Sequence, residues 1–377
     1  MSLLHDEFAQ ASGLRYLNHA AVAPWPKRAT QAVTPFANEN LSIGARDYPD
    51  WLKVERSLRE RLTRLMNAPT TTDIALVKNT SEALSFVAFG LDWRTGDQVV
   101  ISDQEFPSNR VVWEALERFG VEVLHVDLDV ADPEAALLNT CGPRTRLMSI
   151  SAVQYARGLR MDLQRLGHGC RQRGVLFCVD AIQQLGALPF DVQDYDCAFA
   201  MADGHKWMLG PEGLGVFYCR SDLRQQLKLH EYGWHMLENP GNYEFDEWEP
   251  ACTARRFECG SPNMLGAMAL EASLSLLEEV GMVKVGSALA ERVQWLQDGL
   301  VGIPGVQLLS PPAPERRAGI LNFRLDHWDN LALFERLRDE QVVCAQRGGG
   351  IRFSPHFYTE LRVIDETLAL LRQLADG

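Results

Sequence analysis

The segment Ala202-Asp203-Gly204-His205-Lys206-Trp207 places a lysine just beyond an apolar run, between an imidazole and an indole. Such flanks partly desolvate the amine, lowering its pKa and favouring it as a nucleophile. Gly204 allows the backbone there to approach a ligand closely. An earlier apolar run, VLFCVD, ends in Asp180, and Gln183 follows three residues later. An amine and a carboxylate from neighbouring strands are the pair that pyridoxal phosphate requires. The amine carries the cofactor as a Schiff base, and the acid keeps its ring nitrogen protonated so that the ring acts as an electron sink. Taken singly, the two residues read better as a surface lysine and a strand-capping aspartate, and it is the rest of the pattern that favours the cofactor. Upstream, Val77-Lys78-Asn79-Thr80-Ser81-Glu82 sets two hydroxyls at the start of a helical pattern. Amides of a helix N-terminus with Thr and Ser hydroxyls form a phosphate cradle, although Thr80 or Ser81 as a simple N-cap satisfies the same pattern. No G-x-x-x-x-G-K-[ST] or G-x-G-x-x-G follows a strand, so a nucleotide site is not expected.

The elements that must position these residues alternate. Strands are expected at Asp73–Val77, Gln98–Ser102, Val121–Val126, Arg146–Ser151, Val175–Val179, Cys197–Met201 and Gly215–Tyr218. Helical patterns lie at Ser81–Gly90, Ser108–Phe119, Asp162–Arg173 and Asp222–Leu229, flanked by Trp51–Met66, Met264–Glu279 and Val283–Leu300. This order implies an α/β fold with a largely parallel sheet covered on both faces, whose C-terminal strand edge binds ligands. Beyond the loop Ser310–Arg317, the segments Gly319–Leu325, Trp328–Glu340, Val342–Ala345, Ile351–Ser354 and Glu360–Leu374 suggest a smaller α+β domain. The stretch Glu231–Pro250, rich in Trp, Tyr, Glu, Asn and Pro, reads as a long loop.

Across 377 residues, 46% are hydrophobic and 23% charged, so a substantial core is expected. Acidic residues (50) outnumber basic ones (37), giving a net charge of −13, which disfavours a general nucleic-acid or anionic-membrane binder. No apolar run reaches the roughly 18 residues of a membrane span. The opening MSLLHDEFAQASGL lacks the basic start and apolar stretch of a signal peptide, and the eight cysteines show no C-x-x-C. A cytoplasmic protein with reduced thiols is expected, with no metal site.

From Tyr16-Leu17-Asn18-His19-Ala20-Ala21 to Arg352-Phe353-Ser354, the chain resembles the class V aminotransferase family of fold-type I pyridoxal-phosphate enzymes, which includes cysteine desulfurases and isopenicillin N epimerase-like proteins. The resemblance implies a large cofactor-binding domain (15–278) with a mostly parallel seven-stranded sheet. It also implies a small C-terminal domain (279–377) on which residues 1–14 pack. By resemblance, Lys206 is the Schiff-base lysine and Asp180 the partner of the pyridine nitrogen. Gln183 meets the cofactor's phenolic oxygen, and Thr80, Ser81 and His205 hold its phosphate. Phe106 stacks on the ring, and Gln154 or Tyr155 bonds the cofactor oxygen. Ser261, in Gly260-Ser261-Pro262-Asn263, reaches the phosphate of a second subunit, implying a homodimer with shared sites. Arg352 grips the substrate carboxylate, with Asn18 and Arg347 lining the same cavity.

Three residues depart from the pattern. The only thiol near the carboxylate arginine is Cys344, in the apolar Val342-Val343-Cys344-Ala345, which reads as a buried structural thiol and disfavours persulfide chemistry. Phe106 stands where many relatives carry His, so acid–base work falls to Lys206. Asp203 replaces a hydroxyl residue beside the phosphate, and must turn away, pair with an arginine or carry a proton. The resulting expectation is an aminotransferase-type reaction on a small α-amino acid. Lyase, epimerase or desulfurase-like C–S cleavage are the alternatives, and a non-catalytic binding module is the non-enzyme reading.

Overall fold

The computed structural model describes residues 6–244 and 246–376. The described chain opens with strand β1 (Arg15–Tyr16) and helices α1 (Lys27–Ile43) and α2 (Tyr48–Leu65). It then runs through β2 (Ile74–Val77), α3 (Thr80–Gly90), β3 (Gln98–Ser102), α4 (Ser108–Glu114), β4 (Glu122–Val126), α5 (Pro133–Thr140) and β5 (Thr145–Ser151). Next come α6 (Leu163–Gln172), β6 (Leu176–Asp180), β7 (Phe199–Asp203), β8 (Gly215–Cys219), α7 (Met264–Val280) and α8 (Met282–Val301). The remainder comprises β9 (Val306–Leu308), β10 (Leu321–Leu325), α9 (Asn330–Asp339), β11 (Val342–Val343), β12 (Ala345–Arg347), β13 (Gly350–Phe353) and α10 (Leu361–Asp376).

Seven strands form one sheet in the order β2-β8-β7-β6-β5-β3-β4. All run in one direction except β8, which is antiparallel to both neighbours. The α/β class, with a mostly parallel seven-stranded sheet, is therefore as expected. Its central strands are apolar on both faces: Val99, Val100, Ile101, Leu147, Met148, Val179, Phe199, Ala200 and Met201 are all inaccessible to solvent. Helix α3 covers one face with Ala83, Leu84, Val87 and Ala88. Because the strands share a direction, the ends of β2, β3, β6 and β7 deliver Thr80, Phe106, Asp180 and Asp203 to a single edge.

A second, antiparallel sheet has the order β12-β13-β10-β9 and carries Arg352 on β13. The expected boundary at 278/279 falls in the last turn of α7. Of the N-terminal fourteen residues, 1–5 lie outside the described residues. Phe8 stacks on Tyr358, with centroids 3.4 Å apart, and Glu7 pairs with Arg28, which also holds Glu279.

Several elements differ from expectation. Strand β7 extends through Asp203 because that residue pairs with Gly215 of β8. Asp222–Leu229 forms turns instead of a helix. After the Leu227 N–H bonds the Leu223 carbonyl, the Lys228 N–H is captured by the carbonyl of Gly90 at the end of α3. The expected strand Val342–Ala345 divides at Cys344, with β11 pairing with β1 in parallel and β12 turning back onto β13. The helical pattern Ser108–Phe119 tightens to a 3-10 turn from Ala115 onward. Helices α1 and α5 and strand β9 were not anticipated. Among the described residues, no helix is long and apolar enough to cross a membrane.

Candidate active site

Lys206 follows β7 on a turn held from several sides. The Leu209 N–H bonds the Lys206 carbonyl, and Leu209 itself adopts a left-handed φ of 62° while fully buried. Trp207 is inaccessible; its Nε1–H donates to Gln183 Oε1 at 2.8 Å, and its ring packs beside His356. Two glycines make room for this turn. A Cβ on Gly186, whose φ is +93°, would lie 2.5 Å from the Trp207 backbone, and one on Gly319 would lie 2.0 Å from its ring. Gly319→Ala is expected to destabilise the fold by about 1–3 kcal/mol, the usual cost of overpacking, as read from urea unfolding midpoints.

A cavity of about 220 Å³ opens at the sheet edge, lined by Lys206, Asp180, Gln183, Thr80, Ser81, Phe106, His205, Arg347 and Arg352. Nearly all the residues singled out in the sequence therefore meet there. Burial pushes the Asp180 carboxyl up, and neighbouring Glu105 adds to this, while the Ile182 N–H donating at 3.0 Å and the Lys206 charge oppose it. Burial pushes the Lys206 ammonium down; Asp180 opposes this, and the charges of Arg352 and Arg347 reinforce it. Burial, then the Lys206 charge, holds the His205 imidazole down at about 4, so it is neutral at neutral pH. The Nζ of Lys206 lies 5.7 Å from the centroid of the half-exposed Phe106 ring.

Polar atoms without partners mark the cavity. Asn79, not Thr80 or Ser81, caps α3 by accepting from the Glu82 N–H, and the buried Thr80 Oγ1 has no partner among the described residues. Arg352 is 3% exposed and donates from Nη1 to the Tyr155 carbonyl at 2.7 Å and from Nη2 to Asn18 Oδ1 at 3.4 Å, leaving its Nε unpaired. Burial, then the Arg347 charge, depresses this guanidinium to about 10, so it remains a cation at neutral pH.

Three expected residues are absent from the lining, and of these the Asn18 side chain only accepts from Arg352. The Gln154 side chain accepts from the Ala156 and Arg157 N–H groups and donates to the Gln104 carbonyl, so it shapes a turn, while Tyr155 lines the cavity in its place. Ser261 is exposed on a separate cleft with Lys78, His235 and Cys259. Sequence reasoning gave no role to Glu105, which accepts from Ser102, Asn109 and Ser151 beneath the site, nor to Ser108 and Glu212. The one available signal for Glu105 was an acid three residues beyond the end of β3.

The sequence profile described as Aminotransferase class-V matches residues 15–356. A protein described as a probable cysteine desulfurase of Methanothermobacter thermautotrophicus is 30% identical, over 94% of this chain and 93% of its own. Isopenicillin N epimerase of Streptomyces clavuligerus is also 30% identical, over 93% and 92%. Among solved structures, the cystine C–S lyase C-DES with its product cysteine persulfide superposes with a TM-score of 0.88 at 26% identity, covering 96% of this chain and 98% of its own. A lysine-to-alanine variant of C-DES, with glycine covalently linked to its pyridoxal phosphate, gives 0.89 at 26%, covering 98% of both chains. The fold, the clustering at one strand edge and a match over most of the length agree: the chain belongs to the class V aminotransferase family.

Proposed function

We propose that this protein is a pyridoxal 5'-phosphate enzyme that cleaves the C–S bond of a small sulfur-containing α-amino acid by β-elimination. The observation that carries this reading is a cavity that joins a depressed lysine, a buried aspartate and a buried arginine, yet has no cysteine in its lining. Cys344, the thiol nearest in sequence to Arg352, is buried, and its pKa is pushed up to about 12. A thiol in that state is a poor nucleophile toward substrate sulfur. The similarity to a C–S lyase and to proteins named as desulfurases favours sulfur chemistry over transamination.

The residues present fit the cofactor. The unpaired Thr80 Oγ1 at the head of α3 suits its phosphate, and the half-exposed Phe106 suits its ring. When bound, pyridoxal phosphate supplies a ring that takes up the electron pair left at the substrate Cα. Arg352, held by Asn18, would orient the substrate carboxylate, and Asp180 would hold a proton on the ring nitrogen. Lys206 Nζ takes the Cα proton; the Cβ–S bond breaks with its electrons on sulfur, and Lys206 returns a proton to the departing group. Water then converts the released enamine to pyruvate and ammonia. Phe106 moves no proton in these steps. We further assign the exposed Ser261 to the site of a second copy in a homodimer, a state sedimentation measures directly. The free thiols suit a reducing cytoplasm.

Product analysis tests the reading. Cysteine or cystine should give pyruvate in step with released sulfur. Alanine with persulfide would instead indicate desulfuration, and transfer of the amino group to an added keto acid an aminotransferase. Cys344→Ser is expected to leave turnover unchanged, because the thiol takes no part in it; steady-state assay of the purified variant checks this.

A further inference from the structure

Asp203 resolves its own departure from the family pattern in an unexpected way. It neither turns from the cavity nor pairs with an arginine: its Oδ1 accepts the Thr80 N–H at 2.9 Å, at the head of α3, and the residue lines the cavity. Its Oδ2 lies 3.5 Å from His205 Nδ1, and both side chains are largely buried. A carboxyl therefore occupies one of the amides best placed for a cofactor phosphate, beside the unpartnered Thr80 Oγ1.

We propose that Asp203 makes cofactor retention depend on pH, because the phosphate is accommodated at the head of α3 only together with a proton shared between it and this carboxyl. The inference rests on the cofactor reading above. Burial already pushes the Asp203 carboxyl up to about 6, before any phosphate is present. Its charged surroundings are Lys206 and His205 on its own turn, Glu82 on α3, Glu212 before β8 and Asp180 on β6. Arg347 and Arg352 face the same cavity. His205 is neutral over the relevant range, and Glu82, Glu212 and Asp180 all oppose a second negative charge. The second ionisation of a phosphate ester also lies near pH 6. Above about pH 7 both free partners are then ionised, and binding must draw one proton from solvent. Affinity should fall by up to about tenfold per pH unit.

The test uses 4'-deoxypyridoxine 5'-phosphate, which keeps the phosphate but cannot condense with Lys206, so tryptophan quenching reports binding without catalysis. Wild type should take up close to one proton per analogue bound at pH 8, measured by calorimetry in buffers of different ionisation enthalpy. In Asp203→Asn, whose amide still caps Thr80 and can donate to phosphate, uptake should disappear. The wild-type to variant ratio of dissociation constants should rise by about tenfold per pH unit above neutrality. Phosphate-free 4'-deoxypyridoxine should show the same pH profile in both proteins. Parallel profiles for the phosphorylated analogue, or no proton uptake by wild type, overturn the role of Asp203 and leave the cofactor reading standing. Failure of wild type to bind the analogue at any pH overturns both.

Discussion

Lys206→Ala is expected to reduce turnover at least 10³-fold, because in the proposed reaction one amine would both carry the cofactor and move the Cα proton. General base catalysis alone contributes about 10²–10⁴, and no other group lining the cavity offers an equivalent amine. His205 also lines the cavity, but burial and the Lys206 charge hold its pKa at about 4, which makes it a weak proton acceptor. The purified variant should retain pyridoxal phosphate only non-covalently and lose it on dialysis. Borohydride should leave no pyridoxyl adduct on the peptide that contains residue 206. Retained turnover, or an adduct on another lysine, would contradict the assignment.

Asp180→Asn is the second large effect. The carboxylate lies 2% exposed at the end of β6. Burial and Glu105 disfavour its charge, and in the proposed loaded site a protonated ring nitrogen would offset that cost. The amide keeps the shape and can still accept the Ile182 N–H, but it does not hold the ring proton. Removing a buried charge aimed at a developing charge typically costs about 10²–10³ in kcat. Cofactor content should stay near that of wild type while kcat falls, and absorbance and steady-state kinetics on one preparation separate the two. An equal loss of cofactor would shift the role of Asp180 from chemistry to binding.

The central sheet was legible because its strands are buried on both faces and appear as short, unbroken apolar runs such as VLFCVD. Helix α1 was not. Pro26 stands at its cap and Pro35 within it, and local rules read both as breaks, whereas packing of the segment against α7 sustains the helix. Asp222–Leu229 failed for the opposite reason: its pattern is helical, but a long-range bond from Lys228 to Gly90 ends it after one turn. Within the site, Lys206, Asp180 and Gln183 could be named because each closes or follows a strand, whereas Arg352, inside β13, was named only through the resemblance around Arg352-Phe353-Ser354. Gln154 and Tyr155 are adjacent, and only the turn that consumes the amide of Gln154 decides which of them faces the cavity. Asp203 could be flagged but not interpreted, since its partner is a backbone N–H that no sequence pattern announces.

The short path of residues 15–23 stitches the two sheets together. Arg15, Leu17 and His19 donate to the carbonyls of Gln341, Val343 and Ser354 on the side that carries Arg352, while Ala20 accepts from Gln183 and Ala23 donates to the carbonyl of His205. The main chain of residues 15–23 therefore ties the side that carries Arg352 to the turn that presents Lys206. If Arg352 grips a carboxylate and Lys206 acts as the base, this tether links the two tasks through the main chain itself.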